Sequence, residues 1–254
     1  MNQKENYIAV FDSGVGGISV LRHLIRQLPG ERFLYFGDSA NAPYGTRSRE
    51  EVRDLTLTAA GKLMARGLKA LVVACNTATS AAISELRRAY PALIVVGIEP
   101  ALKLACDRFP GGSIGVMATP MTLRKEKFAS LEHRYEHSCH IHELPAPGLV
   151  ELVEEGKADS PEAQALLESL LSPLRGELDA LVLGCTHYPF AKAAIARVLG
   201  EGVALLDGGE GTARETRRRL LEARLLENGA GDLLLENSSP DPALIALSRK
   251  LLEI

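Results

Sequence analysis

No apolar stretch in this chain approaches the ~18 residues that a helix needs to cross a bilayer. The opening run Met1–Asn6 (MNQKEN) leads straight into a strand-like segment and carries no signal-peptide core. Both absences argue for a cytoplasmic protein with no membrane partner. An excess of positive charge is also missing. The 29 Lys and Arg stand against 32 Asp and Glu, for a net charge of −3. That removes the electrostatic basis for binding nucleic acid. The basic run Arg217–Arg219 is local, sits among Glu215, Glu222 and Asp207, and reads as a solvated helix face. Cysteine is scarce, at four in 254 residues, and no two are close in sequence. This pattern fits free thiols in a reducing compartment. Without C-x-x-C, dithiol redox chemistry has no motif to stand on. G-x-G-x-x-G and the P-loop lysine are absent too, so no nucleotide fingerprint exists.

What is present is said twice. Lys69–Ile83 (KALVVACNTATSAAI) and Asp179–Ile195 (DALVLGCTHYPFAKAAI) share one form. Each is a short apolar run, then a cysteine, then hydroxyl, amide or imidazole residues, then a helix-like pattern. The run suits a buried parallel strand. Cys75 and Cys185 are therefore expected at the carboxyl ends of two strands, each facing the start of a helix, where ligands bind in open α/β sheets. Helix starts and nearby donors also favour thiolate over thiol.

The duplication reaches further. Ile8–Ser13 (IAVFDS) aligns with Ile114–Thr119 (IGVMAT), and strand-like segments at 33–37 and 140–144 correspond. A period of about 110 residues is too long for a solenoid unit and reads as two homologous domains. Strand and helix alternate throughout, which argues for parallel sheets. The expected fold is α/β: two similar domains, each a mostly parallel sheet flanked by helices, with the active site in the cleft between them. The tail after 207 has no counterpart in the first half and is expected to pack back onto it. The expected domains are therefore 1–98 plus 208–254, and 99–207.

Local signals support these elements. Ser48 followed by Glu51 is a capping box opening a helix to about residue 66, closed at Gly67. Ser160-Pro161 and Asp241-Pro242 open later helices. The elbow FDSGVGGI places Asp12 at a strand end and Ser13 beside loop amides, which serves either a helix cap or a ligand. Two matched thiols in polar contexts favour a catalytic pair over buried small hydrophobes. A disulfide between Cys75 and Cys185 is disfavoured by the compartment. Cys106, on an apolar helix stripe, reads as core. His133, His137, Cys139, His140 and His142 cluster in sequence without H-E-x-x-H or C-x-x-C spacing, and no metal is assigned there. Glu154 and Glu155 read by themselves as surface charge.

Four segments resemble the glutamate racemase family, within the aspartate/glutamate racemase superfamily: DSGVGG, GDSANAPYG, VVACNTAT and LVLGCTHYP. The resemblance runs from Ile8 to the DGGEGTA segment at 207–213. It implies cofactor-independent racemisation of glutamate, with two thiols serving as base and acid on opposite faces. Cys75 would take the α-proton of D-glutamate and Cys185 that of L-glutamate, with Asp12 assisting Cys75 and His187 assisting Cys185. It places a further acid on Glu154, although Glu151 stands where the family usually has proline, and another on Asp38. Substrate contacts would come from Asp12, Ser13, Tyr44, Gly45, Asn76, Thr77, Thr119, Thr186 and His187. No cofactor and no metal are implied. The product would supply peptidoglycan synthesis. Some members are activated by a cell-wall precursor through an amino-terminal extension; strand one starts here at residue 7, so such activation is not expected. Family members vary in oligomeric state, and a homodimer is one assembly open to this chain.

The residues also fit rival readings. The chain could racemise aspartate or another amino acid, bind an amino acid without chemistry, or act in thiol redox exchange. Two thiols with two assisting groups favour proton transfer over mere binding. An ordinary thiol titrates near ~8.5, close enough to neutrality to act as base or acid.

Overall fold

The computed structural model describes residues 6–99, 101–123, 135 and 137–253. The chain divides into two compact units, Met1–Ile98 with Gly209–Ile254, and Glu99–Gly208. The return crossing thus falls one residue later than the 207/208 boundary expected from sequence.

The first unit holds strands β1 (Tyr7–Asp12), β2 (Arg32–Gly37), β3 (Leu68–Val73), β4 (Ile94–Gly97) and β9 (Asp232–Asn237) in the order β4-β3-β1-β2-β9. The second holds β5 (Ser113–Ala118), β6 (His140–Pro145), β7 (Ala180–Leu183) and β8 (Ala204–Asp207) in the order β6-β5-β7-β8. Read from the other edge, that order is β8-β7-β5-β6, the topology of β4-β3-β1-β2. Every strand pairing among the described residues is parallel. The central strands carry near-continuous apolar runs, as buried parallel strands do. Ile8–Phe11 and Ala70–Val73 are fully buried or nearly so.

The register makes the duplication exact in position. Val73 pairs with Gly97, and Leu183 with Asp207. Cys75 and Cys185 each lie two residues beyond these positions on the central side.

Helix α1 (Ile18–Gln27) follows β1, α2 (Arg49–Met64) follows the 39–46 loop, and α3 (Asn76–Ala89) follows β3. The Ser48 capping box is formed: Ser48 Oγ accepts from Glu51 N–H at 3.2 Å, and Ser48 N–H donates to Glu51 Oε2 at 2.9 Å. In the second unit, α4 (Leu102–Arg108) and α5 (Pro120–Leu123) flank β5; α6 (Leu149–Glu154), α7 (Pro161–Leu171) and α8 (Lys192–Leu199) follow. The tail supplies α9 (Gly209–Glu222), β9 and α10 (Pro242–Glu253).

β9 extends the first sheet beside β2, with Arg32 opposite Asp232, and α9 packs on α1. A buried cation fastens this tail: Lys69 Nζ lies 2.5 Å from Glu31 Oε2 and 3.1 Å from Glu227 Oε1, and donates to the Leu225 carbonyl at 3.0 Å.

Two sequence expectations are corrected. Cys106 and Cys139 form a disulfide between α4 and the start of β6, so these two are not free thiols. Both remain buried in the core of that unit, which accounts for the apolar stripe around Cys106. Cys75 and Cys185 are the free cysteines. The second correction concerns the segment after Cys185. It does not enter an α-helix directly but runs through 3₁₀ turns to Ala191 before α8 begins. The reason is Pro189. An α-turn would need its N–H to bond the Cys185 carbonyl, and proline has none. Tyr188 N–H takes that carbonyl instead at 3.2 Å. In the first unit Thr79 N–H makes the α-type bond to the Cys75 carbonyl at 2.9 Å.

Candidate active site

In the first unit the functional candidates gather at the carboxyl ends of β2, β1 and β3. Asp12 ends β1 and is completely buried. Its Oδ1 accepts the Gly14 N–H at 3.0 Å, and Tyr35 Oη donates to the Gly14 carbonyl at 2.6 Å. Gly17 is required here, since a Cβ would lie 2.6 Å from Asp12 Cβ. The elbow is thereby held against the β3 end, where Ser13 Oγ lies 3.4 Å from Cys75 Sγ.

Cys75 is the N-cap of α3, and its sulfur accepts the Ala78 N–H at 3.4 Å. A thiolate gains most from that position, because the helix start presents free N–H groups and a positive dipole end. Asn76 and Thr77 follow, both buried. Asn76 Oδ1 is buried without a hydrogen-bond partner among the described residues.

Asp38 and Tyr44 form a second buried pair beside this thiol. Tyr44 Oη donates to Asp38 Oδ2 at 2.6 Å, and Asn41 Nδ2 lies 3.1 Å from both carboxylate oxygens. Burial, then the hydrogen bond to Asp38, holds the Tyr44 phenol far above its ordinary range, so it stays a donor. Gly45 is half-buried in the 3₁₀ turn that starts at Tyr44.

The second unit builds its thiol site differently. Cys185 Sγ lies 3.6 Å from His187 Nδ1, and His187 Nε2 lies 2.6 Å from Glu154 Oε1. His187 is buried, and burial opposes its charged form. The hydrogen bonds to Cys185 and Glu154, with their negative charge, outweigh this and hold the imidazole pKa well above 6.5. With the ring protonated, both nitrogens donate, Nδ1 to the Cys185 sulfur and Nε2 to the Glu154 carboxylate. Thr119, equivalent to Ser13 by the repeat, is buried at the end of β5, and Thr186 is buried beside Cys185.

The structure separates three neighbouring acids of this segment by their surroundings. Glu154 turns inward to His187, whereas Glu155 pairs with Lys157 at the surface and Glu151 is exposed. Cys139 of the histidine-rich segment is tied in its disulfide, His142 Nε2 lies 2.9 Å from Ser113 Oγ, and His133 lies outside the described residues.

Sequence reasoning passed over three neighbours. Thr122 Oγ1 lies 3.0 Å from Thr119 Oγ1, a contact signalled only by their i,i+3 spacing at a helix start. Tyr188 is buried and its Oη donates to the Ala146 carbonyl at 3.1 Å. Burial, then the negative charge of Cys185, raises its pKa and keeps the phenol protonated. Asn41 joins the Asp38 pair, and nothing in its loop sequence marks it out.

The pattern of the Asp/Glu/Hydantoin racemase family matches residues 8–216. The chain belongs to that family. Within it, the chain is 50% identical over 257 residues to the glutamate racemase of Clostridium kluyveri, with 100% of both chains covered. Its fold is similar to that of Francisella tularensis glutamate racemase solved with D-glutamate, at TM-score 0.85 and 27% identity, covering 99% of this chain and 95% of that one. It is likewise similar to Escherichia coli glutamate racemase solved with L-glutamate and the activator UDP-MurNAc-Ala, at TM-score 0.84 and 31% identity over 97% and 95% of the two chains. The two α/β sheets described above are the fold of these racemases.

Proposed function

We propose that this racemase-family chain interconverts L- and D-glutamate by two-thiol acid–base chemistry, without cofactor or metal. The observation that carries the reading is the pair of buried free thiols at equivalent strand ends of a duplicated scaffold, each with its own polar partners. Racemisation removes one proton and returns one to the same carbon from the opposite side. One acid–base group per half suits that task. Relatives named glutamate racemase over the full length support glutamate as the substrate.

In the direction from D-glutamate, Cys75 takes the α-proton, with Asp12 and Ser13 beside it, and the Cys185 thiol returns a proton to the other face. In the direction from L-glutamate, Cys185 is the base. His187 stabilises its thiolate, and Glu154 holds the imidazolium in place. The carbanion between the two steps is stabilised by hydrogen bonds and ionic contacts. Asn76 Oδ1, buried and unbonded, accepts a hydrogen bond from the substrate's α-ammonium group. Tyr44, Gly45, Thr77, Thr119 and Thr186 complete the substrate contacts, and Asp38 orients Tyr44. The D-glutamate formed supplies peptidoglycan synthesis in the cytoplasm.

The deciding experiment is circular dichroism of purified protein with L-glutamate, after dialysis against a chelator and with no added pyridoxal phosphate. The optical signal of the substrate decays to zero under this reading. A signal that persists with L-glutamate but decays with L-aspartate moves the assignment to the other amino acid. Activity that returns only with metal or pyridoxal phosphate ends the cofactor-free mechanism.

A further inference from the structure

The two thiols occupy equivalent places, but the chain behind them is secured in opposite ways. In the first unit, the helix starts directly at Asn76, and Cys75 itself caps it. At the matching edge position β4 carries Gly97. A Cβ there would lie 2.6 Å from Thr79 Cγ2 and 2.9 Å from Ile83 Cδ1. The helix behind Cys75 is therefore seated by direct, apolar contact with the neighbouring strand.

In the second unit, the position equivalent to Gly97 is Asp207. Pro189 forces the chain after Cys185 through 3₁₀ turns, and the α-helix starts only at Lys192. That first helical residue reaches back to the strand end, with Lys192 Nζ 2.7 Å from Asp207 Oδ2. The Asp207 side chain is mostly covered, at 13% exposure, and the Lys192 side chain is partly exposed, at 42%. Seven residues, Cys185–Ala191, are thus held between β7 at one end and this ion pair at the other. They include Thr186 and His187.

We propose that Lys192 is a positioning residue for the second thiol: its pair with Asp207 holds the Cys185–His187 turn in register with the sheet, the task that close packing at Gly97 performs for Cys75. The proposal rests on the two-thiol reading above. Lys192 acts through His187 and Cys185 and takes no proton itself. A shift of even about 1 Å at a reacting group can cost on the order of 10²-fold in rate.

The test uses Lys192→Met, Lys192→Arg, Asp207→Asn and the double variant Lys192→Met/Asp207→Asn. Turnover, melting temperature and primary deuterium isotope effects with Cα-deuterated L- and D-glutamate are measured on the same preparations. Because the enantiomers have equal free energy, kcat/KM must fall equally in both directions, so the isotope effects carry the information. Lys192→Met is expected to lower kcat about tenfold with a smaller change in KM. Proton transfer at Cys185 then limits the rate more strongly. The isotope effect from deuterated L-glutamate rises, and that from deuterated D-glutamate falls. Lys192→Arg keeps both near the parent values, and the double variant is no worse than Asp207→Asn alone.

A folded Lys192→Met protein with parent turnover and isotope effects overturns the proposal. So does a loss of turnover in which the two isotope effects move together, which would mark a general loss of fold. If Lys192→Met does not fold, Asp207→Asn is read for the same opposed shifts. The parent protein is assayed first. If it incorporates no solvent deuterium at Cα of either enantiomer, the two-thiol reading fails at that point, separately from the role of Lys192.

Discussion

His187 bridges Cys185 and Glu154, with Nδ1 3.6 Å from the thiol sulfur and Nε2 2.6 Å from the carboxylate. Cys75 is placed otherwise, with the Ser13 hydroxyl and the Ala78 N–H of α3 at its sulfur. A duplicated scaffold has therefore built two thiol sites by different electrostatic means. One uses a helix start, the other an imidazolium backed by a carboxylate.

Removing either thiol should abolish net racemisation. Cys75→Ala and Cys185→Ala each leave the carbanion without a donor on one face, so the double variant is expected to be no worse than either single. The loss in each is expected to be at least the 10²–10⁴-fold, roughly, that a general acid–base group contributes. Turnover and melting temperature measured together decide the matter. A well-folded Cys75→Ala protein that racemises glutamate normally would refute the mechanism.

Glu154 should set the titration of His187. The folded protein binds this proton more tightly than the unfolded chain, whose imidazole titrates near ~6.5. The stabilisation this provides is complete below that value and is lost as pH rises through the higher folded-state pKa. Glu154→Gln removes the carboxylate, so the His187 pKa measured by NMR should fall, and the loss of melting temperature with rising pH should become shallower. An unchanged His187 titration would show that Glu154 does not act on the ring.

In deuterated water, the product enantiomer should carry deuterium at Cα before the remaining substrate does. The motive is a separate proton donor on each face. Mass spectrometry or proton NMR of the two enantiomers at early conversion reads this out. Product that retains the original protium would point to a single shuttling base.

Lys69 should matter for stability and not for chemistry. Its ammonium is buried between Glu31 and Glu227 and joins β3 to the tail segment. Lys69→Met leaves Glu31 buried and uncompensated, which is expected to cost about 3–5 kcal/mol. Urea denaturation measures the loss, while turnover per folded molecule should stay near the parent value. A stability change under about 1 kcal/mol would show that the cluster contributes little, as surface pairs do.

Much of this molecule is legible in its sequence. The strand ends at Asp12, Cys75 and Cys185 follow from short apolar runs broken by polar residues, and the Ser48–Glu51 cap follows from a four-residue pattern. The family resemblance places an acid on Glu154 through the segment Val150–Glu154, but periodicity does not separate it from Glu151 and Glu155. Only the turn of α6 toward His187 does that.

By itself, the sequence determined the two repeated α/β halves, the order of their elements and the residues delivered to each strand end. These depend on side-chain alternation, turn residues and caps, whose causes lie within a few positions of one another. The tertiary structure decided which distant groups meet: Cys106 with Cys139, Tyr44 with Asp38, β9 with β2, and Lys192 with Asp207. Those partnerships depend on how separate elements approach across a sheet, and no local propensity encodes that distance.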